Sequence, residues 1–379
     1  MKAAVFHGAK QPLTIEEVEI DSPLDREVLL RTVASGVCHS DLHFIDGYYP
    51  YPAPAVLGHE AAGVVEEVGK GVSYLKPGDH VIACLSVFCG YCEDCMSGHP
   101  ARCSNKVATR RAKNEKPRLS QKGAPLKQFA ELSTYAEKML VHENALVKIS
   151  KNVPLDRAAL IGCGVTTGMG AVLNTARIEP GSTVAVFGCG GVGLAAIQGA
   201  RIAGARMIIA VDQFESKLAL ALRLGATHTV DSSKGDPVKM IRDLTSDTDA
   251  GGSSAARDIL SPPNSGVDYA FEAVGLKVLA EMCFECIRPG GTATIIGMIP
   301  VGQKVAINGA KLLTERKLQG TNMGSNRFRI DMPRYIDYYQ QGRLNLDDMI
   351  SRRGKLEDVN EAFRAMKAGE VARTVLMFE

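Results

Sequence analysis

From Thr183 onward the chain spells out an apolar run, a glycine-rich turn, a helix of small residues and a second apolar run: TVAVF, GCG, GVGLAAIQGARIAGA and RMIIAVD. Two buried strands joined through a helix run parallel, and such crossovers are right-handed. SKLALALRLGA and THTVD repeat the helix and the strand, and VDYAFEAVG and GGTATIIGM read as later strands. The pattern predicts an α/β unit on a doubly wound parallel sheet, starting near residue 165 and ending near 322. Residues 246–266, rich in Gly, Ser, Asp and Pro, read as a surface excursion without chemistry.

The turn itself carries a function. Gly188-Cys189-Gly190-Gly191-Val192-Gly193 matches G-x-G-x-x-G after a strand and before a helix, the context of a Rossmann dinucleotide site. Gly188 permits the tight turn, Gly190 lets backbone approach a pyrophosphate, and Gly193 allows close helix–strand packing. The helix N-terminus offers free N–H groups to the phosphates. Asp212, nineteen positions after Gly193, ends the second strand. A carboxylate there accepts from the ribose 2′-hydroxyl and repels a 2′-phosphate, which favours NAD over NADP. Lys217, one turn on, is a second candidate contact to the adenosine ribose.

The first hundred residues have another texture: short strand patterns such as EVLLRTVASG and AAGVVEEVG between glycine and proline turns. They predict an irregular, mainly antiparallel β unit. Cys89, Cys92, Cys95 and Cys103 crowd one short stretch, a spacing that suits four thiolates closing around a tetrahedral Zn²⁺. Iron–sulfur proteins share the C-x2-C-x2-C start, but there the next cysteine usually follows after three residues; here seven intervene. Ser104–Gln128 reads as a long polar loop, with Arg110-Arg111-Ala112-Lys113 as a solvated face. Cys283 and Cys286 read as packing residues. A net charge of +2 gives no field that selects nucleic acid or an anionic membrane. The start MKAAVFHGAK reads as a strand rather than a signal, and no apolar run reaches the roughly 18 residues that span a bilayer, so a cytoplasmic location is expected.

Three separated segments hold residues of metal-ligand type: Val37-Cys38-His39-Ser40-Asp41, Gly58-His59-Glu60 and Gly162-Cys163-Gly164. Two cysteines and one histidine leave a fourth zinc position for a reactant. The order CHSD, GHEAAGVVEEVG, the four-cysteine stretch, GCG with TTG, GCGGVG, FEAVG and the ending GEVARTVLMFE resembles the zinc-containing alcohol dehydrogenases of the medium-chain dehydrogenase/reductase superfamily, over nearly the whole chain.

The resemblance implies a GroES-like catalytic domain at 1–164 and 323–379, with a structural-zinc lobe at 86–104, and a Rossmann domain at 165–322. It implies two Zn²⁺ per chain, one held by Cys38, His59 and Cys163 and one by Cys89, Cys92, Cys95 and Cys103. Glu60 would lie behind the catalytic metal and assist ligand exchange, and Asp41 would orient His59. Ser40 and His43 would form a proton relay. His39 and Arg373 would meet the pyrophosphate, and Thr167 and Val192 would buttress the nicotinamide. The implied reaction is reversible oxidation of an alcohol with NAD. A related branch oxidises a formaldehyde–thiol adduct and places an arginine where this chain has Val107, with Arg110 and Arg111 nearby. A catalytically silent binding relative is the other alternative. The long loop after Cys103 resembles that of dimeric members, which implies a homodimer through paired sheet edges.

Overall fold

A computed structural model of the protein describes residues 1–246 and 265–379. Most of the excursion expected at 246–266 therefore lies outside the described residues. The chain forms two compact units, Met1–Thr166 with Asn326–Glu379, and Thr167–Ser325.

The first unit is built on β1 (Glu27–Gly36), where Val28, Leu30 and Ala34 are buried at a period of two. It pairs antiparallel with β2 (Ala61–Val68), with β4 (Lys138–His142) and with Thr374–Met377; β3 (His80–Ala83) continues the sheet from β2, and β5 (Leu146–Ile149) from β3. Val28, Leu30, Val65, Val81, Met139 and Leu146 form one core behind it. β1 leads directly into Cys38 and α1 (His39–Ile45), and Gly58-His59-Glu60 leads into β2. Two of the three segments singled out above thus lie at the same end of adjacent strands.

Ser104–Gln128, expected as a long polar loop, contains short strands. Leu119–Gln121 pairs with Glu19–Ile20 and with Ala124–Pro125 in a small sheet of its own. The basic run is split. Arg110 is exposed and pairs with Glu131 at 2.7 Å, but the Arg111 side chain is only 7% exposed. Arg111 donates to both Glu27 oxygens, to Asp21 and to two backbone carbonyls, and Arg118 donates to Glu27 Oε1 at 2.7 Å. The expectation of a solvated face holds at Arg110, Ala112 and Lys113 and fails at Arg111, whose partner Glu27 lies 84 residues away.

In the second unit β6 (Thr183–Phe187), β7 (Met207–Asp212), β8 (His228–Asp231), β9 (Val267–Glu272), β10 (Ile287–Ile295) and β11 (Lys317–Gly320) form one parallel sheet in the order β8-β7-β6-β9-β10-β11. Every residue of β6 is buried, as a parallel strand covered on both faces must be. The order reverses between β6 and β9, the position where doubly wound sheets bind ligands at the carboxyl ends of their strands. Those ends are Phe187 and Glu272, opposed in register. Cys283 and Cys286 are fully buried in this unit's core.

A continuous helical run covers Leu155–Ala176 and is long and apolar enough to cross a membrane, contrary to the sequence reading; 83% of its most apolar window is buried, the condition of a core helix. It widens to a π-turn at Ile161–Val165, around Cys163. Such turns often mark functional sites.

Glu27 is 2% exposed and neutralises two buried guanidiniums. Glu27→Gln would remove the carboxylate that the two share and leave Arg111 with Asp21 alone and Arg118 with the more distant Glu131, a loss of up to roughly 3 kcal/mol, the lower end for broken buried pairs. The urea midpoint of the variant should fall accordingly; an unchanged midpoint would show that the network contributes no net stability.

Candidate active site and metal centres

Cys38, His59 and Cys163 are all buried, and their ligand atoms lie within 4.8 Å of one another. Cys38 precedes α1, His59 precedes β2, and Cys163 sits in the π-turn, so three chain segments meet at one point. Gly162 permits this: a Cβ there would lie 2.8 Å from the Ala83 carbonyl oxygen. His59 Nδ1 is 3.0 Å from Asp41 Oδ1, which also accepts the Gly58 N–H at 3.1 Å. With Nδ1 donating its proton to the carboxylate, the lone pair is on Nε2. That atom is buried with no hydrogen-bond partner. An orphaned imidazole nitrogen facing two sulfurs fits a bound cation.

The electrostatics agree. A hydrogen bond from Cys163, with the charges of His59 and Arg373, holds the Cys38 thiol well below the ordinary thiol range despite its burial. Burial opposes charge on His59, but Asp41 and Cys38 outweigh it and raise its affinity for a proton. The cluster attracts positive charge, and a metal ion would take the place of that proton.

Glu60 is fully buried beside this cluster. Its Oε2 accepts the Gly164 N–H at 3.2 Å and its Oε1 pairs with Arg373 Nη2. Arg373 is thus engaged by Glu60 within the first unit. Burial raises the Glu60 pKa, partly offset by Arg373. Ser40 and His43 both lie on α1, with His43 among the rings of His39, Tyr48 and Tyr49 at 5.9–6.5 Å. No hydrogen bond joins Ser40 to His43. Burial lowers the His43 pKa, so the ring is neutral at pH 7. His39 is exposed.

The four-cysteine stretch closes on itself. Sulfur–sulfur distances are 3.4 Å for Cys92–Cys95, 3.8 Å for Cys92–Cys103 and 3.9 Å for Cys89–Cys95. Four thiolates about 2.3 Å from one zinc would be about 3.8 Å apart. These distances exceed a disulfide bond and fit a single ion; a multi-iron cluster would spread its thiolates farther. The Cys89 and Cys92 N–H groups donate to the Cys103 and Cys89 sulfurs, each at 3.3 Å.

In the second unit the glycine turn opens α2 (Gly191–Ile202) with no side-chain cap, leaving its first N–H groups for a ligand. Gly188 has φ +96°, and a Cβ at Gly193 would lie 1.7 Å from the Gly188 oxygen, so neither position admits a side chain. Asp212 accepts the Cys189 N–H at 2.8 Å, tying the end of β7 to this turn. It stands in register with Asp231 of β8. Lys217 lies over the Phe214 ring at 4.8 Å. Thr167 donates to Met323 Sδ at 3.2 Å, and Val192 lies in the first turn of α2.

Two residues escaped the sequence reading. Tyr135 donates its hydroxyl to Asp41 Oδ2 at 2.8 Å, across 94 positions, and no motif in the sequence marks it. Glu272, noticed only as part of FEAVG, is fully buried and accepts the Val274 and Gly275 N–H groups at 2.9 and 2.7 Å. It fixes the turn that faces Gly188, whose missing Cβ would lie 2.4 Å from Val274 Cγ2.

Residues 24–151 match the alcohol dehydrogenase GroES-like domain, and residues 191–340 match the zinc-binding dehydrogenase family. Among solved structures, an alcohol dehydrogenase zinc-binding domain protein from Burkholderia ambifaria is 37% identical with a TM-score of 0.90, over 100% of this chain and 98% of its own. Benzyl alcohol dehydrogenase from Acinetobacter calcoaceticus is 30% identical with a TM-score of 0.89, over 100% and 99%. A zinc-binding dehydrogenase from Sinorhizobium meliloti 1021, bound to NADP, is 28% identical with a TM-score of 0.77, over 100% and 99%. With its GroES-like and parallel-sheet units, the chain belongs to the zinc-containing alcohol dehydrogenases of the medium-chain dehydrogenase/reductase superfamily.

Proposed function

We propose that the protein is an NAD-dependent alcohol dehydrogenase holding a catalytic zinc at Cys38, His59 and Cys163 and a structural zinc at Cys89, Cys92, Cys95 and Cys103. The observation that carries this reading is the buried Cys–His–Cys cluster with an unpartnered His59 Nε2. When bound, zinc supplies Lewis acidity that lowers the pKa of an alcohol, and the nicotinamide takes the hydride. The chain's own residues do the rest. Asp41 fixes the His59 tautomer, and Glu60, braced by Arg373, sets a carboxylate beside the cluster. The neutral His43 ring can accept a proton; since no hydrogen bond joins it to Ser40, transfer between the two needs an intervening hydroxyl or water.

Asp212 and Asp231 put two carboxylates at adjacent strand ends, an environment that disfavours a 2′-phosphate and supports NAD. The thiol-adduct reaction needs a cation free to meet a carboxylate, but Arg110 is engaged by Glu131, and Arg111 by Glu27 and Asp21. The silent alternative is disfavoured because every proposed ligand is present. A homodimer is supported by Val301 and Leu313, 69% and 80% exposed, on segments that precede the edge strand β11.

Metal analysis should give two zincs per chain, and a panel of aliphatic and aromatic alcohols should be oxidised with NAD in preference to NADP. Cys38→Ser should keep one zinc and lose on the order of a thousandfold in kcat/KM. Full activity in that variant, or a preference for NADP, would contradict the reading.

His43 is protonated only below the ordinary histidine value of 6.5, so alcohol oxidation should decline as the pH falls through that lower range. His43→Ala should reduce kcat by roughly 10²-fold with both zincs retained, and should lose this acid limb. An unaltered pH profile would remove His43 from the relay.

Sedimentation equilibrium should give a dimer, and the pair Val301→Glu with Leu313→Glu should shift it to monomer. A monomeric wild type would refute the assembly.

A further inference from the structure

Asp41 is fully buried, and its two carboxylate oxygens have different partners. Oδ1 serves the ligand side, taking the Gly58 N–H and His59 Nδ1. Oδ2 has one hydrogen-bond partner among the described residues, the Tyr135 hydroxyl at 2.8 Å. Tyr135 is itself 0% exposed. Burial first, and then the Asp41 charge, push its phenol well above the ordinary range, so it remains a donor.

The hydroxyl cannot swing away. The Tyr135 N–H donates to the Leu57 oxygen at 3.1 Å, and its carbonyl accepts the Ala4 N–H at 2.8 Å. Its ring meets Phe363 edge-on at a centroid distance of 6.2 Å. Gly58 leaves room for it, since a Cβ there would lie 2.8 Å from ring carbons of Tyr135. The hydroxyl is therefore held in place before any metal arrives, and it anchors the far end of the carboxylate that aims His59. Without it, Oδ2 would be buried and unpartnered, and the carboxylate could turn about its Cβ–Cγ bond to find another donor. Any such turn shifts the acceptor for His59 Nδ1 and with it the direction of the Nε2 lone pair.

We infer that Tyr135 is a positioning residue, acting through Asp41, that sets how tightly the Cys38–His59–Cys163 site retains its metal. The inference rests on the proposed catalytic zinc. Phenylalanine fills the same space as tyrosine, so Tyr135→Phe removes the hydroxyl, with its bond to Asp41 and its contact with the Cys38 backbone, while leaving the packing.

The test is zinc release from the intact holoenzyme into a chromophoric chelator, with the phase that Cys38→Ser abolishes assigned to the Cys38 site. In Tyr135→Phe that phase should quicken by roughly tenfold, the lower end of the effect seen for groups that support metal ligands. The phase from the four cysteines should keep its rate and serves as an internal control. Equal rates in variant and wild type would overturn the inference. So would equal acceleration of both phases, since general loosening of the fold does not distinguish one site. A wild type that releases one zinc, with no phase lost in Cys38→Ser, would overturn the proposed metal centre and this inference with it.

Discussion

The first unit depends on a charge that it has removed from water. A buried carboxylate without compensation costs several kcal/mol, and Asp41 is buried completely. It is tolerated because three donors converge on it from two other chain segments: the Gly58 N–H, the His59 ring and the Tyr135 hydroxyl. The same bonds that make the charge bearable fix the start of α1, the approach to β2 and the segment before β4 in one arrangement. Structural need and chemical use coincide here, because the group being fixed is an imidazole whose remaining nitrogen faces two cysteines.

The neighbouring residue repeats the device with opposite partners. Glu60 is as buried as Asp41, and it reaches Gly164 and Arg373 rather than Gly58 and Tyr135. His59 and Glu60 therefore anchor two separate networks from adjacent positions. In the second unit the fixed carboxylate is Glu272, at the end of β9. It holds a turn against the glycine loop through backbone N–H groups alone. There the binding surface is backbone and shape: the 1.7 Å approach forbidden to any Cβ at Gly193 brings α2 against the end of β6.

What the sequence disclosed follows from how local each signal is. The parallel sheet was legible because strand, turn and helix are contiguous from Thr183 to Asp212, and their periods differ. The four-cysteine stretch was legible because all its ligands lie within fifteen residues. The residue types at Cys38, His59 and Cys163 were visible, but resemblance to a family, not spacing, tied them together. Tyr135 stayed hidden because a lone tyrosine is ordinary and its partner is 94 residues away. The basic run at 110–113 misled for the same reason: Arg111 reads as solvated until Glu27 is brought beneath it. The π-turn around Cys163 had no sequence signal beyond its flanking glycines, since one extra residue in a helical turn does not alter the apolar pattern.

Locality also separates the two clusters physically. Cys89 to Cys103 closes a loop of 14 positions, and the entropy of closing so short a loop is small, so these thiolates can gather around an ion with little help from the rest of the unit. Cys38, His59 and Cys163 span 125 positions, and only the completed sheet brings them together. The first cluster can therefore organise the fold around it, whereas the second is organised by the fold. A site of the second kind keeps its geometry only as well as its supporting bonds do. That is why a hydroxyl that would ligate no metal itself, but supports the carboxylate behind His59, matters to this cluster.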